Sequence, residues 1–394
     1  MTSARPYLEP WDGSPARTGG SLPATDRRSP SYWLDLDFVR AFSESMVRPW
    51  AERYFHASVR GAENLVAARP SLLAMNHSGM GWPWDAVVFM HLVASRFDYG
   101  REWVLRGFAL PFFFTIPGLA PLCLRTGLYP ATFKNLDLLL NERELVLYFP
   151  EGAEGIGKGW AKRYTLQPFH TSFIKLAAKY GAPITPCVCI GAEELNPFAT
   201  NAEALAKLTG LPIFPVSPLQ LALFPAWLTS AIFALPSRLR YHVGAPLRFR
   251  LDPSEATEDD YRSAAEELRG IMQRMIDEGR AESAAPAPRA EPRAPLPGEY
   301  RHRYSLIDKA LAALPFGWPV LYLRFWNAYH AAHGAAPEGA ETENAQPAYG
   351  AHPLSAADQA MLLAPWLWPV PLARHFKALF RDDPHLIRAT FGPR

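Results

Sequence analysis

The sequence predicts an α/β fold, a layered αβ arrangement around a central, mostly parallel sheet, and three observations carry that prediction. Short apolar runs alternate with amphipathic stretches between residues 71 and 249, the order expected when helices cover a sheet. One run, ELVLYF at 144–149, is rich in strand-forming residues and reads as a strong strand. Residues 257–279 place Tyr261, Leu268, Ile271, Met272, Met275 and Ile276 on one helical face, the signature of a helix packed on a core.

The elements follow in order. Residues 1–30 are rich in Pro, Gly, Ser and Arg and are expected to be disordered. The stretch 36–53 carries Phe38, Val39, Phe42, Met46 and Trp50 at helical spacing, an amphipathic N-terminal helix with a kink expected at Pro49. Strands are expected at Ser71–Met75, weakly at 103–105, at 144–149 and at Ile184–Ile190. Helices are expected at 85–94, 132–141 and 171–180. A late strand pair, Arg240–Val243 and Leu247–Phe249, flanks the sequence VGAP. The helix 257–279 starts at a capping arrangement of Thr257 and Asp260, with Gly279 as its stop. A Pro/Ala linker at 281–297 then divides a main domain, 31–280, from an aromatic helical extension, 298–394.

Composition bounds the function. Of 394 residues 49% are apolar, ample for a core, and a net charge of +2 gives no footprint for bulk nucleic-acid binding. Three cysteines cannot make a disulfide framework, and no cluster around them has metal-ligand spacing. The first twenty residues carry no apolar signal core, so a reducing, cytoplasmic setting is the default expectation. The unusual features are 39 prolines and 12 tryptophans. The uncharged runs 107–124 and 210–237 are long enough to cross a bilayer, but their prolines break the backbone ladder that a spanning helix needs. Two readings stay open for them: apolar loops over a groove or membrane surface, or buried core loops. The aromatic stretches 314–330 and 362–376, edged by basic residues, suit either a membrane interface or a helical hairpin docked on the main domain, and docking is favoured.

Several motifs suggest chemistry. GAEGIGKG at 152–159 approaches a phosphate-binding loop, but Gly159 stands where a Ser or Thr must hold magnesium. No Gly-x-Ser-x-Gly elbow is present, and His330 with His333 is a loose surface pair. His77 is different. It ends an apolar run, LLAMNH, and Asp85 follows across SGMGWPW at the start of an amphipathic stretch. An imidazole takes a proton from a hydroxyl when a carboxylate on its far nitrogen holds the tautomer and stabilises the imidazolium. This is triad logic with an acceptor alcohol in place of the serine, and it suits acyl transfer from a thioester. The same residues also fit a plain structure in which Asp85 is an N-cap and His77 a satisfied core residue. LVLYFPEG adds Glu151 and Gly152 at the end of the strongest strand, on the edge where parallel sheets gather ligands, so Glu151 is expected as a rim carboxylate.

Asn76–His77 with Asp85, FPEG at 149–152, and APITPCVCIGAEE with Pro183 and Pro186 together resemble the glycerophospholipid or lysophospholipid acyltransferases, of the 1-acylglycerol-3-phosphate acyltransferase kind, over roughly residues 59–279. LRGFALPFFFTIPGLAPLCLRTGLYPAT resembles their acyl-groove region, with Arg125 near the place of an anion-binding arginine, and YHVGAPLRF resembles their late strand. The resemblance implies transfer of an acyl group from acyl-CoA or acyl carrier protein, as co-substrate and with no other cofactor, to a lipid hydroxyl. It implies His77 as general base, Asp85 as its orienting partner, Glu151 and Gly152 at the acceptor site, and Asn76 at the strand end beside the substrate. Lys158, with Lys162 and Arg163, is expected either to contact an anion of CoA or lipid or to form a solvated basic face. Seven residues separate His77 from Asp85 where the family's common motif has four, and Ala153–Glu154 follow the second block where many members that acylate lysophosphatidic acid have Thr-Arg. The second difference weakens the case for a phosphate-bearing acceptor and leaves a neutral glycerolipid or another long-chain alcohol open. The expected partners are thus a lipid acceptor, an acyl donor and a peripheral membrane surface, without nucleic acid. The alternative is a non-catalytic lipid-binding or membrane-scaffold protein on the same fold.

Overall fold

A computed structural model describes residues 6–15, 32–78, 82–115, 118–197, 200–204, 215–218, 234–282, 305–312 and 317–333, with isolated positions 356 and 359. Most of the apolar run 210–237, nearly all of the linker and the aromatic stretch 362–376 lie outside the described residues.

The core is a seven-stranded mixed sheet. Its parallel centre is β3 (Ser71–Met75) between β6 (Leu145–Tyr148) and β7 (Ile184–Ile190), with Leu72 opposite both Val146 and Ile184. All five residues of β3 and all seven of β7 are buried, as expected for strands covered on both faces. Side chains alternate between the faces. Leu73 and Met75 enter one core cluster, whereas Leu72 and Ala74 enter the other. The first cluster is covered by α1 (Leu36–Phe42) and α2 (Trp84–Arg96). The second is covered by α4 (Phe133–Asn141), α6 (Ser172–Tyr180) and α7 (Glu258–Ala281), which follow α3 (Leu119–Arg125) and the short α5 (Gly152–Gly157). The result is a three-layer α/β/α architecture.

After β7, β8 (Thr200–Asn201) and β9 (Pro215–Val216) form a small antiparallel pair of their own, and the late strands do not pair with each other. β10 (Arg240–Val243) and β11 (Leu247–Phe249) both run antiparallel to β7, at its two ends. The chain between them stays against β7 through Gly244 N–H donating to Pro186 O at 2.8 Å. A Cβ on Gly244 would come within 2.9 Å of Pro186 Cγ, so only glycine fits that approach. β2 (Ser58–Arg60) extends the sheet parallel to β10. At the other edge β1 (Leu8–Pro10) pairs antiparallel with β11, which corrects the expectation of disorder for that part of the N-terminus. Residues 16–31 lie outside the described residues.

The expected strand at 103–105 is displaced. Residues Arg101–Trp103 form a 3-10 turn, and the extended chain comes later as β4 (Gly107–Ala109), paired with β5 (Leu128–Pro130) in a small parallel sheet. Within the apolar run 107–124 every residue of α3 is buried, so this part is core and not a surface loop. Helix α1 is not broken at Pro49. The chain continues through wide π turns at Ser43–Val47 and Trp50–Tyr54 and keeps Phe38, Phe42, Met46 and Ala51 inside.

Two C-terminal helices are described, α8 (Leu306–Ala312) and α9 (Gly317–His333). α9 is docked. Phe325 and Trp326 are fully buried, with ring centroids 5.8 and 5.6 Å from that of Phe38 on α1. No helix among the described residues is long and apolar enough to cross a membrane.

Candidate active site

The carboxyl ends of β3, β6 and β7 converge on His77, the second residue after β3. Its partner Asp85 lies in the first turn of α2, and the two meet: His77 Nδ1 is 2.8 Å from Asp85 Oδ2. A carboxylate only accepts, so Nδ1 carries the hydrogen and Nε2 of the neutral ring keeps its lone pair. The same Asp85 oxygen accepts the Ser78 N–H at 3.0 Å, and Oδ1 accepts the Ala86 N–H at 2.8 Å. Asp85 is fully buried while the His77 side chain keeps 12% of its surface, so the carboxylate is enclosed and the ring reaches the outside. The Phe149 ring stacks on the imidazole at 4.0 Å and fixes its plane.

Asn76 sets the strand end. Its Nδ2 donates to Cys189 O at 3.2 Å and its Oδ1 accepts the Cys189 N–H at 2.7 Å, so one amide continues the β3–β7 ladder by side chain. With 1% of its surface exposed it is a structural clamp and not a substrate contact.

Glu151 corrects the expectation of a rim carboxylate. It is 0% exposed. Its Oε1 accepts the His77 N–H at 3.2 Å and its Oε2 accepts the Gln167 N–H at 2.8 Å. Gly155 makes room, since a Cβ there would lie 2.7 Å from Glu151 Cβ. The glutamate thus pins the backbone of the histidine from inside. Gly152 beside it has φ +58°, and a Cβ would come 2.9 Å from His170 Nε2, so its place is set by the turn.

Lys158 is likewise internal. Its side chain is 2% exposed, with Nζ 2.9 Å from Glu193 Oε1 and 3.8 Å from Glu151 Oε2. It is the counter-ion of two buried carboxylates and not a surface anion contact. Burial pushes the Glu193 carboxyl above its usual range, and Lys158 opposes that. The near-P-loop spelling therefore holds a lysine that faces inward.

Arg125 belongs to a different cluster. Its Nη2 donates to Asp35 Oδ2 at 2.7 Å, its Nη1 contacts His330 Nε2 at 3.3 Å, and its guanidinium lies 3.9 Å from the Phe38 ring centroid. Trp326 and Tyr329 complete this cage at 5.5 and 5.4 Å. The arginine fastens α3 to α1 and α9, which replaces the anion-binding role expected for it. His330 serves the same junction, with Nδ1 2.8 Å from Trp326 O, rather than forming a surface pair.

Sequence reasoning passed over Tyr241, Glu193 and Tyr164. Tyr241 donates to the main-chain oxygen of Asp85 at 2.8 Å. Glu193 accepts the Tyr164 N–H at 3.1 Å as well as facing Lys158. The available signal was the pair Glu193–Glu194, separated by two residues from the end of the fully buried strand β7, a place where buried carboxylates need partners.

A buried carboxylate bonded to a partly exposed imidazole at the carboxyl edge of an α/β sheet is an arrangement with the chemistry to accept a proton from a hydroxyl. Residues 56–190, which contain both members, match the model of the Acyltransferase family. An uncharacterised protein of Mycobacterium tuberculosis is 34% identical over 217 residues, 55% of this chain and 59% of that protein, so the similarity spans well under two thirds of the relative. Phytyl ester synthase 1, chloroplastic, of Arabidopsis thaliana is 28% identical over 142 residues, 32% of this chain and 20% of the relative. The crystal structure of the 1-acyl-sn-glycerophosphate (LPA) acyltransferase PlsC from Thermotoga maritima shows a distant likeness: TM-score 0.41 and 16% identity over 64% of this chain and 81% of that one.

Proposed function

We propose that the protein transfers a fatty acyl group from an acyl thioester, carried on CoA or acyl carrier protein, to the hydroxyl of a lipid at a membrane surface. The observation that carries this reading is the 2.8 Å contact of His77 Nδ1 with the buried Asp85 inside the stretch that matches the Acyltransferase family model. Nε2 of His77 takes the acceptor hydroxyl proton as the oxygen attacks the thioester carbonyl. The tetrahedral adduct collapses, the C–S bond breaks, and the imidazolium returns its proton to the departing thiolate. The products are an ester and a free thiol, and Asp85 stabilises the imidazolium between the two steps.

The acceptor in this reading is uncharged. Arg125 and Lys158, the cations expected to meet a phosphate, are engaged with Asp35 and with Glu193 and Glu151. The turn after Glu151 instead presents the exposed Glu154. The Arabidopsis relative is named for making phytyl esters, whose alcohol carries no phosphate.

The test is thiol release from a long-chain acyl-CoA, and separately from an acylated carrier protein, with lysophosphatidic acid, lysophospholipids, mono- and diacylglycerol and a long-chain alcohol as acceptors. Release with the uncharged acceptors, lost in His77→Ala, is expected. Preference for lysophosphatidic acid would overturn the acceptor assignment, and turnover retained in His77→Ala would overturn the mechanism. No release with any pair would favour the lipid-binding scaffold.

A further inference from the structure

We propose that Tyr241 is a positioning residue for the His77–Asp85 pair, and that the sheet, not the chain connecting them, sets the spacing of the two groups. This rests on the acyl-transfer reading above.

Asp85 owes its place to the first turn of α2. That turn is held from β10, far along the chain, where the Tyr241 hydroxyl donates to Asp85 O at 2.8 Å. A helical carbonyl has a second lone pair, so this bond adds to the intrahelical one. The Tyr241 ring also stacks on Phe89, one turn further along α2, with centroids 5.0 Å apart and planes at 27°. One side chain thus fixes both the height and the rotation of the helix start.

The other end of Tyr241 leads back to His77. Tyr241 pairs in register with Cys189 across β10 and β7. The N–H and C=O of Cys189 are the two groups that Asn76 binds, and Asn76 directly precedes His77. His77, Asn76, Cys189, Tyr241 and Asp85 form a closed ring of contacts, joined by the bond between histidine and aspartate. Asn76, Cys189, Tyr241 and Asp85 are each at most 1% exposed. Burial keeps the Tyr241 phenol well above its ordinary pKa, so its hydroxyl remains a donor throughout the working pH range. A phenylalanine would fill the same space without a buried hydroxyl to satisfy. The hydroxyl's partner is the backbone of the orienting carboxylate.

The experiment is Tyr241→Phe in the full chain, with Tyr54→Phe as a matched control. Tyr54 loses a bond of the same kind, half-buried, its hydroxyl to Ala234 O at 2.7 Å, and its own ring contacts are to Trp50 and Phe55 rather than to the pair. In Tyr241→Phe, kcat is expected to fall about tenfold to a hundredfold with KM nearly unchanged, the signature of misplaced rather than missing groups. The Nδ1 proton resonance of His77, deshielded by its bond to Asp85, moves upfield. The control leaves both unchanged. In an Asp85→Asn background the Tyr241→Phe change costs nothing further in kcat, which separates positioning from loss of fold. Unchanged kcat and resonance in Tyr241→Phe, or an equal loss in Tyr54→Phe, would overturn the proposal. If the wild-type protein releases no thiol with any acceptor, the acyl-transfer reading fails on its own, and the His77 resonance alone decides whether Tyr241 positions the pair.

Discussion

At the residue scale, a neutral imidazole has one N–H and one lone pair, and Asp85 decides which nitrogen holds which. Asp85→Asn replaces an acceptor with a group that can also donate toward Nδ1, which favours the wrong tautomer. In acyl transfer, kcat is expected to fall about 10³- to 10⁴-fold with the fold intact, as read by steady-state thiol release. Lys158 makes a second test. Lys158→Met leaves Glu193 and Glu151 buried without their counter-ion and is expected to cost about 3–5 kcal/mol in denaturant unfolding. Adding Glu193→Gln recovers part of that loss, because one of the two stranded charges is gone. These residues also show what was legible in the sequence. His77 and Asp85 announce themselves by position, one ending a strand and the other opening a helix, and local sequence encodes both places. Glu151, Lys158 and Arg125 announce only their charge. Whether a charge faces water or another charge depends on partners such as Glu193 and Asp35, which are distant in the chain and invisible to local patterning.

At the element scale, hydrophobic period predicts which segments form helices, and tertiary contact decides where they end. Gly279 has the look of a helix stop, yet α7 runs two residues past it to Ala281. The glycine is there because a Cβ would lie 2.2 Å from Ile190 Cδ1 and 2.9 Å from His242 Cε1. Gly279→Ala gains about 1 kcal/mol of helix propensity and loses about 1–3 kcal/mol to overpacking, so Tm is expected to fall. A rise in Tm would show that Ile190 moves aside freely. The π turns after α1 were equally illegible, since the apolar spacing there fits an ordinary helix. They carry Glu44, whose carboxylate accepts from the Tyr99 hydroxyl at 2.7 Å and pairs with Arg48 at 2.8 Å. Burial works to raise the Glu44 pKa, but Tyr99 and Arg48 outweigh it and the net shift is downward from 4.5. A lowered folded-state value means that this carboxylate adds stability that is complete above about pH 4.5 and lost as pH falls through the folded value. Glu44→Gln should therefore flatten the acid limb of the stability curve. An unchanged acid limb would place the sensitivity elsewhere.

At the scale of the whole molecule, the question is whether the C-terminal extension is an appendage or part of the core. Composition left both open, because aromatic residues edged by arginine suit a membrane interface as well as a docked helix. The contacts of α9 place that helix in the core. Phe38 meets Phe325, Trp326 and Tyr329 together, and the buried Arg125 is caged among the same rings while bound to Asp35. The near end of α9 packs beside the start of α2: the Trp318 ring centroid lies 6.3 Å from that of Trp82 and 6.1 Å from that of Trp84, the residue before Asp85. Residues 283–304 intervene in sequence, so an independent unit would unfold in a transition of its own. A shared core unfolds once. Trp326→Ala removes a fully buried indole and is expected to cost about 3–5 kcal/mol. That loss should appear as a lower midpoint of a single transition, followed in parallel by far-ultraviolet circular dichroism and by tryptophan fluorescence. Thiol release should fall with it, since the aromatic contacts of α9 continue to the turn that carries Asp85. Two separated transitions, with the larger unmoved and turnover intact, would show instead that α9 is an attachment the main domain can do without.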